Sequence, residues 1–114
     1  MKYVRPGYLA VDEKVFQVSK ELKMPIIHCS KNISTKDYDS LSTEESVKST
    51  ILNNAYDGAI VLCHGWSNPT AACIEEVCKF LYEVGYRFVT LSELFEYKGI
   101  ENVPFGEIIC DANF

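Results

Sequence analysis

The chain has 114 residues, 47% apolar and 24% charged, with a formal net charge of −5 at pH 7. That length suits one packed domain over residues 1–114 and falls short of the roughly 250 residues of a complete (β/α) barrel. Scattered basic residues on a negative chain exclude a nucleic-acid surface, which needs clustered Lys and Arg, and no run approaches the ~20 apolar residues that span a bilayer.

The first six residues lack the apolar core of a secretion signal. Read as written, the chain is expected in the cytoplasm, with an extracytoplasmic place if a longer parent chain carries such a segment. Five cysteines, Cys29, Cys63, Cys73, Cys78 and Cys110, form no CxxC pair. Neither a disulfide framework nor a zinc knuckle is indicated, and the thiols are expected to be small buried hydrophobes in a reducing setting.

In chain order, Val11, Val15, Val18 and Leu22, widened by Phe16, recur at helical spacing and predict an amphipathic helix over Asp12 to Lys23. Pro25 ends it. Pro25 to Cys29 reads as a short buried strand and Ser30 to Leu41 as a polar loop. Ser42 and Glu45 predict a capping box opening a helix that carries Val47 and Ile51 inward and ends near Asn54. Ala59 to Cys63 reads as a strand covered on both faces, and Gly65 to Pro69 as a loop. Pro69 suits the first turn of the next helix, whose inner side is Ile74, Val77, Cys78, Leu81 and Val84 and whose end is capped by Gly85. A strand over Tyr86 to Leu91, a short helix from Ser92 through Tyr97 and a last strand near Glu107 to Cys110 complete the alternation. This βαβαβαβα order with short connections is that of parallel βαβ units.

Three polar clusters fall at the ends of predicted strands: Arg5 to Tyr8, Asp37 with Tyr38, and His64. In parallel α/β proteins such ends share one rim, where ligands bind. Apart from His64 the only histidine is His28, read as a satisfied core residue, and no HxxxH, HExxH or paired Asp motif occurs. A weaker reading gives Cys29, Cys63 and His64, or His28, a thiol-based metal site. Taken alone, Asp37 is also a turn former or helix cap, and Arg5 is either a surface charge or a guanidinium buried on a carboxylate. Trp66 reads as a core plug or as a platform for a sugar ring.

Together the clusters resemble the C-terminal half of a polysaccharide deacetylase of carbohydrate esterase family 4. Arg5, Pro6, Gly7, Tyr8 resemble its Arg-Pro-x-Tyr motif, Thr35 to Tyr38 its Asp-Trp motif, and Leu62, Cys63, His64 its Leu-x-His motif. Gly85 to Leu94 resembles the family's closing strand and helix. The similarity runs from about residue 3 to 97 in the family's order, with Gly7 in place of Pro, Leu9 in place of Gly and Tyr38 in place of Trp.

The resemblance implies an α/β fold with parallel strands, a partial (β/α) barrel of about half the full fold. It implies hydrolysis of acetyl groups from a chitin-, peptidoglycan- or xylan-like glycan, with His64 as general acid and Asp37 as its charge partner. Arg5 would orient the base, the main-chain N–H of Tyr8 would serve as an oxyanion donor, and Leu62, Tyr38 and Trp66 would contact substrate. The family's metal and base motifs are absent, so the chain alone holds no cofactor and is expected to be inactive. Zinc or cobalt would enter only with the N-terminal half. A cut barrel flank favours self-association or that half as partner. The alternative is a non-catalytic glycan- or protein-binding module derived from such a barrel.

Overall fold

The computed structural model describes residues 2–114; Met1, part of the segment read for an export signal, lies outside them. Four helices and two very short strands follow in the order α1 (Glu13–Leu22), β1 (Ile26–Ile27), α2 (Glu44–Asn54), α3 (Asn68–Glu83), α4 (Leu91–Tyr97) and β2 (Ile108–Ile109). β1 and β2 pair in parallel, Ile26 with Ile108 and Ile27 with Ile109. Val4 adds a parallel bridge to Ile26 on the other side. No helix among the described residues is long and apolar enough to cross a membrane.

The helix ends follow local chemistry. Asp12 caps α1 by accepting from the N–H of Val15 at 2.9 Å. Ser67 caps α3 one residue before its first turn, which contains Pro69, where the missing N–H has no intrahelical acceptor to lose. Two predicted caps shift. Thr43 and Ser46, not Ser42 and Glu45, form the capping box of α2, and Thr90, not Ser92, caps α4. In each case the hydroxyl on the residue immediately before the helix reaches the free N–H.

Two apolar clusters hold the chain together. Val47 and Ile51 of α2 pack on Cys73, Val77 and Leu81 of α3. Ile27 and Ile109 of the strands pack with Phe95 of α4 and Ala112. Each fully buried aliphatic side chain contributes about 1.5–3 kcal/mol.

Three predicted elements differ. Ala59 to Cys63 is not a doubly covered strand: Leu62 bridges Ser34 in parallel, Ala59 bridges Asp111 in antiparallel fashion, and Val61 is exposed. Tyr86 to Leu91 forms no strand and is anchored by the Tyr86 hydroxyl donating to the Ala55 carbonyl at 3.2 Å. The stripe of α1 is only half covered, because Val18 and Leu22 face outward and Ser19 is its sole buried residue. Apolar periodicity marks a face that can be buried; a covering neighbour decides whether it is. All five cysteines are free, but only Cys73 is buried and Cys110 is exposed, which corrects the expectation of uniform burial.

Candidate active site

The loop between β1 and α2 is stitched to the segment leading into His64. The Leu62 N–H donates to the Ile33 carbonyl and the Thr35 N–H to the Leu62 carbonyl, each at 3.3 Å. The Thr35 hydroxyl donates to the same Leu62 carbonyl at 2.8 Å. Lys36 then turns the chain with a left-handed φ of 50°, and the Asp39 N–H closes that turn on the Lys36 carbonyl. These contacts deliver Asp37 to His64.

Asp37 is buried, and both of its carboxylate oxygens are committed. Oδ1 lies 2.7 Å from Nδ1 of His64. Oδ2 accepts from the His64 N–H and from the Thr70 hydroxyl, each at 2.6 Å. The Ser67 hydroxyl donates to the Asp37 carbonyl at 2.9 Å, so the first turn of α3 holds the loop from behind. Burial pushes the Asp37 carboxyl up, but the hydrogen bonds from Thr70 and His64 outweigh it and leave the group below its ordinary 3.8. An ionised carboxylate only accepts, so Nδ1 of His64 carries the proton in that bond. Nε2 makes no hydrogen bond among the described residues, and the His64 side chain is a quarter exposed. In the charged ring, Nε2–H is the proton free to leave.

Ser67 and Thr70 escaped the sequence reading. Their signal was present as a Ser-Asn-Pro-Thr helix start, but a cap motif does not say which distant carboxylate its second hydroxyl meets.

The other predicted site residues are placed less uniformly. Tyr38 stands edge-on to the His64 ring with centroids 6.2 Å apart, and Trp66 lies against it at 4.9 Å. Trp66 is 69% exposed, which removes the core-plug reading. Leu62 is buried and lines a groove of about 310 Å³ with Tyr3, Arg5, Ile27 and His28. Arg5 is exposed and makes no hydrogen bond or ion pair among the described residues, so burial on a carboxylate is corrected. Its charge still reaches Cys63, beside His64. Tyr8 sits in a short turn over Gly7–Leu9 with a left-handed φ of 57° and a fully exposed ring. Leu9 follows at φ 53°, where the family's usual glycine fits without a Cβ clash. His28 is not satisfied: its buried Nε2 has no partner.

The donor set does not fit a metal ion. Among the described residues no three His, Cys, Asp or Glu side chains gather as ligands. Burial, with the nearby Asp37 charge, pushes the Cys63 thiol up, which disfavours the thiolate that a metal or a nucleophilic role needs.

A parallel strand pair with flanking helices, and a hydrogen-bonded imidazole–carboxylate pair at the loop rim, define an α/β domain with a polar site at that rim. No protein-family model matches the chain. The solved Xyl-CE4 domain of a multidomain xylanase from the hindgut metagenome of Trinervitermes trinervoides matches with a TM-score of 0.86 and 29% identity, covering 99% of this chain and 53% of that one. A family 4 acetyl xylan esterase from Clostridium thermocellum, solved with a cobalt ion, matches with a TM-score of 0.82 and 25% identity over 99% of this chain and 54% of its own. A bifunctional xylanase/deacetylase of Pseudobutyrivibrio xylanivorans is 32% identical over 108 residues, 92% of this chain and 17% of that protein. The peptidoglycan-N-acetylglucosamine deacetylase PgdA of Listeria monocytogenes is 38% identical over 95 residues, 83% of this chain and 19% of that protein.

The chain matches carbohydrate esterase family 4, the polysaccharide deacetylases, as a partial domain. It spans about half of the solved domains and under a fifth of these two curated relatives.

Proposed function

We propose that this chain is the C-terminal, proton-donating part of a polysaccharide deacetylase domain that hydrolyses acetyl groups from a xylan-, peptidoglycan- or chitin-like glycan. The observation that carries it is the 2.7 Å contact between Nδ1 of His64 and buried Asp37, which leaves Nε2 without a hydrogen bond among the described residues. In the reaction, water gives one proton to the base carboxylate of the completing half as its oxygen adds to the acetyl carbon, and the bond from that carbon to the sugar nitrogen or oxygen breaks. The Nε2 proton of charged His64 passes to the departing nitrogen or oxygen, so it leaves as a neutral amine or alcohol rather than as an anion. Asp37 accepts at Nδ1 and fixes the orientation of the ring throughout.

Around this pair, Leu62 would wall the acetyl methyl, the main-chain N–H of Tyr8 would face the carbonyl oxygen, and Tyr38 and Trp66 would take the glycan. Arg5, exposed and unpaired among the described residues, would hold the base carboxylate of a completing N-terminal half. That half would carry the zinc or cobalt ligands. The groove that Arg5 lines also holds His28, whose buried Nε2 has no partner among the described residues and is open to a group from that half. Exposed apolar residues such as Val18, Leu22, Val61 and Phe88 also leave room for a second copy of the chain.

The test mixes this chain with the N-terminal half of a related deacetylase domain and zinc or cobalt, and measures acetate release from acetylated xylan and N-acetylated chitooligosaccharide. Release is expected only from the mixture, and His64→Ala should lower it about 10²–10⁴-fold, the usual contribution of a positioned acid. Undiminished release with His64→Ala would overturn the assignment.

A further inference from the structure

The chain has a single tryptophan, and it is neither buried nor remote from the site. The Trp66 and His64 ring centroids are 4.9 Å apart with planes tilted by 34°. Tyr38 closes a second side of the imidazole edge-on, at 84°. Asp37 closes the third at Nδ1, leaving the Nε2 edge without a hydrogen bond among the described residues.

We infer that Trp66 is a positioning residue for His64: its indole face pins the imidazole against Asp37 and keeps Nε2 at the open edge of the site. The consequence for catalysis rests on the reading of His64 as proton donor; the ring contact does not. The tilted indole contact favours the Asp37-paired orientation of the imidazole over rotated, unpaired ones. The titratable groups around the ring are Asp37 and Tyr38 from the loop before α2 and Cys63 from its own segment. Of these, only Asp37 is hydrogen-bonded to the ring. The stack and the carboxylate therefore act on the same ring from different directions.

The closing experiment uses the chain itself. With Trp66 as sole tryptophan, selective indole excitation reports one residue, and a charged imidazole in contact quenches it. The expected result is a quenching step on acidification that coincides with His64 titration followed by NMR and disappears in His64→Gln. In the NMR spectrum the His64 ring protons should be displaced upfield by the indole. The neutral ring should carry its proton on Nδ1, the tautomer dictated by Asp37. Trp66→Leu should lose the upfield displacement and mix the tautomers, while Trp66→Phe should restore the single tautomer. A quenching step that survives His64→Gln, or a Trp66→Leu spectrum with an unchanged tautomer, overturns the inference. Because Trp66 is mostly exposed, these variants retain the core. Tautomer control without acetate release in the mixed assay would leave the Trp66 contact standing and sink the deacetylase reading instead.

Discussion

The Thr70 hydroxyl and the Asp37 carboxylate meet at 2.6 Å across a separation of 33 residues, with both groups buried. This bond ties the first turn of α3 to the loop before α2 and occupies the same carboxylate oxygen that receives the His64 N–H. Removing it leaves a buried charge short of one donor. Thr70→Val should therefore destabilise the chain by about 1–3 kcal/mol in a urea titration, and Thr70→Ser should recover most of the loss.

The same carboxylate gives the chain a pH signature. Burial raises the Asp37 carboxyl, but Thr70 and His64 bring it below 3.8, so the folded state binds that proton less readily than the unfolded state. The resulting stability is fully present above 3.8, the unfolded value, and is lost as pH falls through the lower folded value. The urea midpoint of wild type should fall across that acid window. In Asp37→Asn this component should vanish and the midpoint should already be lower at neutral pH.

Between the two long helices, Ile51 is 2% exposed and packs in the cluster of Val47, Cys73, Val77 and Leu81. Ile51→Ala should cost about 2–5 kcal/mol, the range for truncating a buried aliphatic side chain. The loss should appear as a lower Tm by calorimetry, since α2 and α3 share this one apolar seam.

Lys23 ends α1 in the left-handed region at φ 53° and is exposed. Its N–H bonds to the last turn, so the conformation serves the helix end while its Cβ crowds the backbone. Lys23→Gly should stabilise the chain by about 1 kcal/mol, net of the extra freedom glycine gains on unfolding. Equal or lower stability would show that the Lys23 side chain itself holds the helix end.

Much of the local architecture was legible in residue order. Asp12 as cap, Pro25 as breaker, Pro69 in a first turn and Gly85 after a helix are each decided by neighbours within a few residues, because their effects act through single backbone groups. The helix spans Glu13–Leu22, Glu44–Asn54 and Asn68–Glu83 followed from such signals. The family resemblance likewise lay in short motifs carried in order.

What the sequence determined by itself was therefore the three longer helices to within a residue or two, the places of the two short strands and the identity of the imidazole and carboxylate that meet. Tertiary structure decided the rest: that Thr70 and Ser67 clamp Asp37, that Trp66 lies on His64, that Arg5 stands unpaired and that Tyr86 to Leu91 never becomes a strand. Caps and breakers act within one turn of chain. A ring stack, a buried carboxylate's third donor and the pairing of a strand each require a partner brought from tens of residues away, and only the packed fold supplies or withholds it.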